Sequence, residues 1–136
     1  MEWETVRKNF AESGACCLVL RGEERYVSSE RGIRPLLGWL RENPRFFENA
    51  CAADKIVGRA AALLLVYGGV RQVYAETLSD GAAAVLETYG VPFSCGVRAP
   101  FIRNREGTGM CPMEQKVRQA DTPQEAYAIL SAAVPV

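Results

Sequence analysis

Hydrophobic residues recur along this chain in two rhythms, and the switches between them mark out its elements. Trp3, Val6 and Phe10 fall on one helical face across residues 2–12, with Ser13-Gly14 as a stop. The run Ala15-Cys-Cys-Leu-Val-Leu-Arg21 is short and apolar, with strand character. Gly22-Glu23 turns it back into Arg25-Tyr-Val-Ser-Ser29, which predicts a hairpin. Ile33, Leu36, Leu37 and Leu40 share one helical face over residues 33–42, and Pro44 ends that element. From Asp54 to about Tyr67, before Gly68-Gly69, the chain is apolar on almost every side (Ile56, Val57, Ala60 to Val66). That pattern predicts a helix starting near Asp54 and buried at the centre of the domain.

A strand–helix alternation follows. Val70 to Thr77 reads as a strand, and Ser79-Asp80 cap a helix through Tyr89 that Gly90 terminates. Pro92 to Ile102 reads as a strand interrupted by Gly96 and Pro100. A helix beginning at Cys111-Pro112 should run to about Ala120. Asp121-Thr122 then cap a last amphipathic helix carrying Ala126, Ile129, Leu130 and Val134. Strands linked by helices pair in parallel, so the pattern predicts an α/β fold with a mixed sheet and an antiparallel N-terminal hairpin. No repeat, low-complexity tract or linker divides residues 1–136, which are expected to form one domain.

Composition narrows the function classes. Sixteen Lys and Arg balance sixteen Asp and Glu, so the chain lacks the basic footprint of a nucleic-acid binder. The longest apolar run, Ala60 to Tyr67, is too short to cross a bilayer. The start Met1-Glu2-Trp3-Glu4 is acidic and unlike a signal peptide. Five cysteines (16, 17, 51, 95 and 111) form no Cys-x-x-Cys pair, which fits reduced thiols in a cytoplasmic protein. Histidine is absent, and that excludes Ser-His-Asp and Cys-His catalysis and any histidine-ligated metal within one chain. No metal and no cofactor are expected.

The candidate chemistry gathers at three helix starts: Ala53-Asp54-Lys55, Leu78-Ser79-Asp80-Gly81 and Met110-Cys111-Pro112. In an open α/β sheet such starts collect beyond the carboxyl ends of the strands, where their free N–H groups favour an anionic or carbonyl-bearing ligand. The loop Gly107-Thr108-Gly109-Met110 delivers Cys111 to a first helical turn, with Pro112 at the first position and Glu114 at the third. There the dipole should favour the thiolate. Asp54 could serve only as a cap, with Lys55 solvated; alternatively Lys55 reaches into the crevice as a cation beside Cys111. For Ser79 and Asp80 the structural role of capping is the simpler reading, although the hydroxyl could also meet a ligand. Arg98, Arg103 and Arg105 lead toward Cys111 and could hold an anion in bidentate fashion, or form a solvated loop, with Asn104 adding a polar contact or a turn. Cys16, Cys17 and Cys95 read as buried filler, and Cys51 as filler or pocket lining.

The segments Asp54-Lys-Ile-Val-Gly-Arg-Ala-Ala-Ala62, Leu78-Ser-Asp-Gly81 and Met110-Cys-Pro-Met-Glu114 resemble those of a small prokaryotic family of uncharacterised domains placed in the cytidine deaminase-like superfamily. The resemblance spans most of residues 10–132 and implies a three-layer α/β/α fold and association as a homodimer. The departures from true deaminases are specific. Those enzymes hold zinc with His/Cys-Ala-Glu at one helix start and Pro-Cys-x-x-Cys at the next. Here the corresponding starts read Cys51-Ala52-Ala53-Asp54 and Ser79-Asp80-Gly81-Ala82. A lone Cys51 falls short of the three protein ligands of a catalytic zinc, which argues against zinc-dependent base deamination.

Three functional expectations result. The first is a binding domain without zinc, in which Asp54, Lys55, Ser79, Asp80, Arg103, Asn104 and Cys111 line a crevice for a small anionic or nucleotide-like molecule. The second is a transferase or hydrolase with Cys111 as covalent nucleophile, Lys55 stabilising the thiolate and Glu114 or Asp54 moving protons. The third is an interaction module with a vestigial pocket.

Overall fold

The computed structural model describes residues 2–103, 109 and 111–134. Its elements are α1 (Trp3–Ser13), β1 (Cys17–Arg21), β2 (Glu24–Ser28), α2 (Arg34–Glu42), β3 (Cys51–Val57), α3 (Arg59–Tyr67), β4 (Gln72–Ser79), α4 (Asp80–Thr88), β5 (Phe93–Ala99), α5 (Pro112–Lys116) and α6 (Pro123–Ala133). The sheet order is β2-β1-β3-β4-β5. The β1–β2 hairpin pairs Val19 with Tyr26, and β1 also runs antiparallel to β3, with Cys17 opposite Asp54. From β3 onward the pairing is parallel. The expected mixed sheet with an antiparallel N-terminal edge is therefore what forms.

Local signals explain most boundaries. Gly14 takes a left-handed conformation at φ 66° and ends α1. Ser79 caps α4, its hydroxyl accepting the Ala82 N–H at 3.0 Å. Thr122 caps α6 by accepting the Glu125 N–H at 3.1 Å, and Glu125 reaches back toward the Asp121 N–H.

The principal correction concerns residues 51–57. The expected helix start at Asp54 does not exist: Cys51–Val57 is the central strand, and the helix begins only at Arg59, after Gly58. Asp54-Lys55 interrupts the strand in the manner of a helix cap, and Ile56-Val57 run on into the apolar helix that follows, so the two elements read as one. The alanines at 52 and 53 carry no β-branched signal that would separate the two. Asp54 is thus no cap but a strand residue, 8% exposed. The helix after Cys111 is also shorter than expected, ending at Lys116 rather than near Ala120.

Alternation along β3 sends Ala52 to one face and Ala53 to the other. Ala53, with Cys51, Leu18 and Tyr74, meets Val6 and Phe10 of α1. Ala52 joins the larger core built by α2, α3, α4 and α6. The result is three layers, with α1 alone on one face of the sheet. Residues 60–65 of α3 are all buried, so this apolar helix does sit at the domain centre.

An aromatic cluster closes the hairpin end of the larger core. Trp39 stacks on Phe46 at 5.2 Å between ring centroids, and Phe47 stands edge-on to both rings. Gly68 leaves space for the Phe47 ring, where a Cβ would collide with it. Phe47 is fully buried. Phe47→Ala is expected to cost about 3–5 kcal/mol of stability, the range for a fully buried phenylalanine, as read by urea unfolding.

A groove built on a buried glutamate

The chain leaves β3 through Gly58, which has no side chain to cap α3. The first N–H groups of that helix are satisfied from a distant element. Glu114 of α5 directs its carboxylate at them, Oε1 accepting the Arg59 N–H and Oε2 the Ala60 N–H, each at 2.6 Å. A negative charge at a helix N-terminus is favoured by the dipole, and hydrogen bonds to charged groups contribute about 1.5–3 kcal/mol each. A Cβ at position 58 would overlap the Glu114 carboxylate and Ile102, so glycine is required by close approach. Arg59 returns the connection: its guanidinium donates to the carbonyl of Val117 and, at 2.7 Å, to that of Ala120. Burial pushes the Glu114 carboxyl up, while the two backbone donors and Arg59 hold it down.

This clamp positions a groove of about 410 Å³. Its walls come from the loop ahead of α2 (Arg31, Gly32, Ile33), the β3–α3 turn (Ile56, Gly58), and the Ile102–Arg103 and Cys111–Glu114 segments. The Cys111 N–H donates to the Ile102 carbonyl at 2.8 Å, which fixes the half-buried cysteine beside that wall. Three helix starts gather here, at Ile33, Gly58 and Cys111. The groove lies past the carboxyl ends of β3 and β5, where an open α/β sheet places its ligands. Ile33, Ile56 and Ile102 give it an apolar body, and Arg31 and Arg103 are its cationic side chains among the described residues.

A smaller cavity of about 290 Å³ adjoins it, sharing Arg31, Gly32 and Ile56. Cys16, Asp54, Lys55, Glu76 and Thr77 complete its lining. Burial raises the Asp54 carboxyl to about 7, against the N–H of Ile56, the Cys17 thiol and the N–H of Lys55, which favour its charge; Glu76 pushes it further up. The Ile56 N–H reaches Asp54 Oδ1 at 3.4 Å. Burial and the facing Asp54 raise the Cys17 thiol well above its usual range, and burial takes Cys51 to about 11. These two cysteines are protonated fillers, as expected of Cys17.

The expected site residues therefore divide. Cys111, Arg103 and Glu114 line the groove, whereas Asp54 and Lys55 line the adjoining cavity. Lys55 is not set beside Cys111 in one pocket. Glu114 is engaged as a cap for α3, with both carboxylate oxygens occupied. Ser79 is spent capping α4, and the exposed Asp80 pairs with Arg98 at 3.0 Å; neither lines either cavity. Asn104 lies outside the described residues, as does Arg105. Arg31 and Gly32 have no place in the sequence reading, and Ile33 and Ile56 appear there only as apolar helix positions. A signal for the first two was Arg-Gly directly before a helix, where Gly32 takes φ 78°. Among the described residues no three His, Cys, Asp or Glu side chains cluster as a metal site. Cys51 faces α1 across the sheet from the larger core, so the residues present do not fit a catalytic zinc.

Fold and groove together define a three-layer α/β domain with a cleft at the carboxyl edge of its sheet. The chain belongs to the TM1506 family, a domain of unknown function (DUF1893), whose model matches residues 5–134. It is similar to the crystal structure of the DUF1893 family protein TM1506 from Thermotoga maritima, at 27% identity and a TM-score of 0.89, over 98% of this chain and 92% of that one. No curated protein matches it.

The folded chain keeps the Asp54 proton to about pH 7, whereas an unfolded aspartate loses it near 4. Unfolding thus releases a proton between these values, and stability falls as pH rises across that window. Asp54→Asn should flatten the decline between pH 4.5 and 7.5 in urea unfolding. An unchanged slope would contradict the assignment.

Proposed function

We propose that this protein is a ligand-binding domain of the cytidine deaminase-like kind, without catalytic zinc, whose groove takes a small anionic or nucleotide-like molecule. The observation that carries this reading is the composition of the groove. It offers an apolar body with Arg31 and Arg103 beside it, and Glu114, the carboxylate in its wall among the described residues, is turned onto backbone N–H groups. A flat apolar ligand with an anionic end matches that pattern, because guanidinium forks bind phosphate and carboxylate in bidentate fashion. The deaminase-like kinship rests on the sequence resemblance and on the mixed sheet with helices on both faces. Cytoplasmic residence is consistent with five free cysteines, and homodimerisation with what the resemblance implies.

The accessible position of Cys111 on the groove wall supports a second reading, covalent catalysis through its sulfur. In that scheme Glu114 is held at the start of α3 by the Arg59 and Ala60 N–H groups, one on each oxygen.

Titration of ¹⁵N-labelled protein with adenosine 5′-monophosphate and with inorganic phosphate separates these readings. Binding should shift the amides of Ile56, Ile102 and Cys111, and Arg103→Ala should weaken it at least about tenfold, the loss of one charge-assisted hydrogen bond. Cys111→Ser should leave affinity within about threefold, a change below 1 kcal/mol. Absence of shifts at millimolar probe overturns the binding reading. Rapid labelling of native Cys111 by iodoacetamide at neutral pH would favour the covalent one.

A further inference from the structure

The carboxyl of Asp54 has no part in the groove's anion chemistry, yet it forms part of the wall of the cavity that opens beside it. We propose that the two cavities together take one dipolar ligand, its anionic end against Arg103 and an ammonium or guanidinium end on Asp54. This rests on the groove being a ligand site, and it adds the class of ligand.

Geometry carries the argument. Asp54 is buried in the central strand, yet it lines a cavity of about 290 Å³ that shares Arg31, Gly32 and Ile56 with the groove. A buried carboxylate is normally paired, because an unpaired charge in low dielectric is costly. Among the described residues Asp54 makes no ion pair. Its Oδ1 accepts the Ile56 N–H at 3.4 Å and the Cys17 thiol, a weak donor, also favours its charge, whereas the Lys55 N–H donates to the Cys16 carbonyl at 3.1 Å. A carboxylate has about four acceptor positions, so capacity remains on the cavity side.

The charged and titratable groups around it come from every neighbouring element. Cys16 and Cys17 belong to the β1 segment, Glu76 to β4, Arg31 to the loop ahead of α2, and Lys55 to β3 itself. Glu76 adds a second carboxylate and, like Arg31 and Lys55, is exposed, so Asp54 is the buried charged group of this wall. In its ionised form the buried Asp54 carboxylate suits a cationic nitrogen group. In the empty protein a proton neutralises Asp54 below about pH 7. An arriving cation replaces that proton, which leaves to solvent.

The test uses ¹³C-carboxyl-labelled aspartate NMR with three probes: 4-guanidinobutyrate, butylguanidine and butyrate. Both guanidinium probes should lower the Asp54 midpoint, moving it to at least tenfold higher proton concentration, and butyrate should not. Asp54→Asn should weaken 4-guanidinobutyrate at least tenfold while leaving butyrate binding within threefold. The proposal is overturned if butylguanidine leaves the Asp54 midpoint in place, or if Asp54→Asn binds 4-guanidinobutyrate as tightly as the parent. Should butyrate and adenosine 5′-monophosphate leave the groove unshifted while butylguanidine still moves Asp54, the groove reading has failed and the dipolar ligand with it, leaving an isolated cation site.

Discussion

Two backbone N–H groups at the start of α3, accepted by the carboxylate of Glu114, hold the functional end of this molecule together. Helix α3 is the central pillar of the larger core, and its first turn faces the groove. Gly58 provides the close approach but no cap, so the orphan donors need a partner from elsewhere. Glu114 supplies it from a helix of only five residues that has little intrinsic stability. The same contact thus completes one helix and anchors another. Arg59 makes the arrangement mutual by binding the carbonyls that end the α5 segment.

Because the clamp consumes Glu114, the electrostatics of the groove are set by what remains. Arg31 and Arg103 dominate one side, and Asp54 governs the cavity behind Ile56. Arg31 lines both cavities, so the buried Asp54 carboxyl is what distinguishes the second from the first. Two adjoining strands produce this split: β3 brings Asp54 and Lys55, and β4 brings Glu76, to the level where the sheet emerges from under its helices. The burial of Asp54 and the openness of its cavity are what separate it from an ordinary core residue.

Much of the fold was legible because its signals are local. Ser79 and Thr122 cap the helices they precede, Gly14 stops α1, and the hairpin over residues 17–28 follows from Gly22 between two strand-like runs. The central strand was not legible, since Asp54-Lys55 resembles a helix cap and Ile56-Val57 merge with the apolar helix that follows. Cys111 lies at a helix start, where Pro112 and the loop before it place it in the sequence, and it lines the groove. The sequence places Glu114 in the first turn of its own helix, whereas its carboxylate accepts N–H groups 54 and 55 residues away, a distance no local pattern spans. Lys55 was misplaced because the helix register assigned to Asp54 was wrong, and correcting that register moves both residues into the second cavity.

The clamp can be read directly by native-state hydrogen exchange at the amides of Arg59 and Ala60. If the Glu114 carboxylate holds them, both should exchange as slowly as amides in the middle of β3 and β4, and Glu114→Ala should release them selectively. Exchange of these two amides at the rate of an open loop in the native protein would contradict the account.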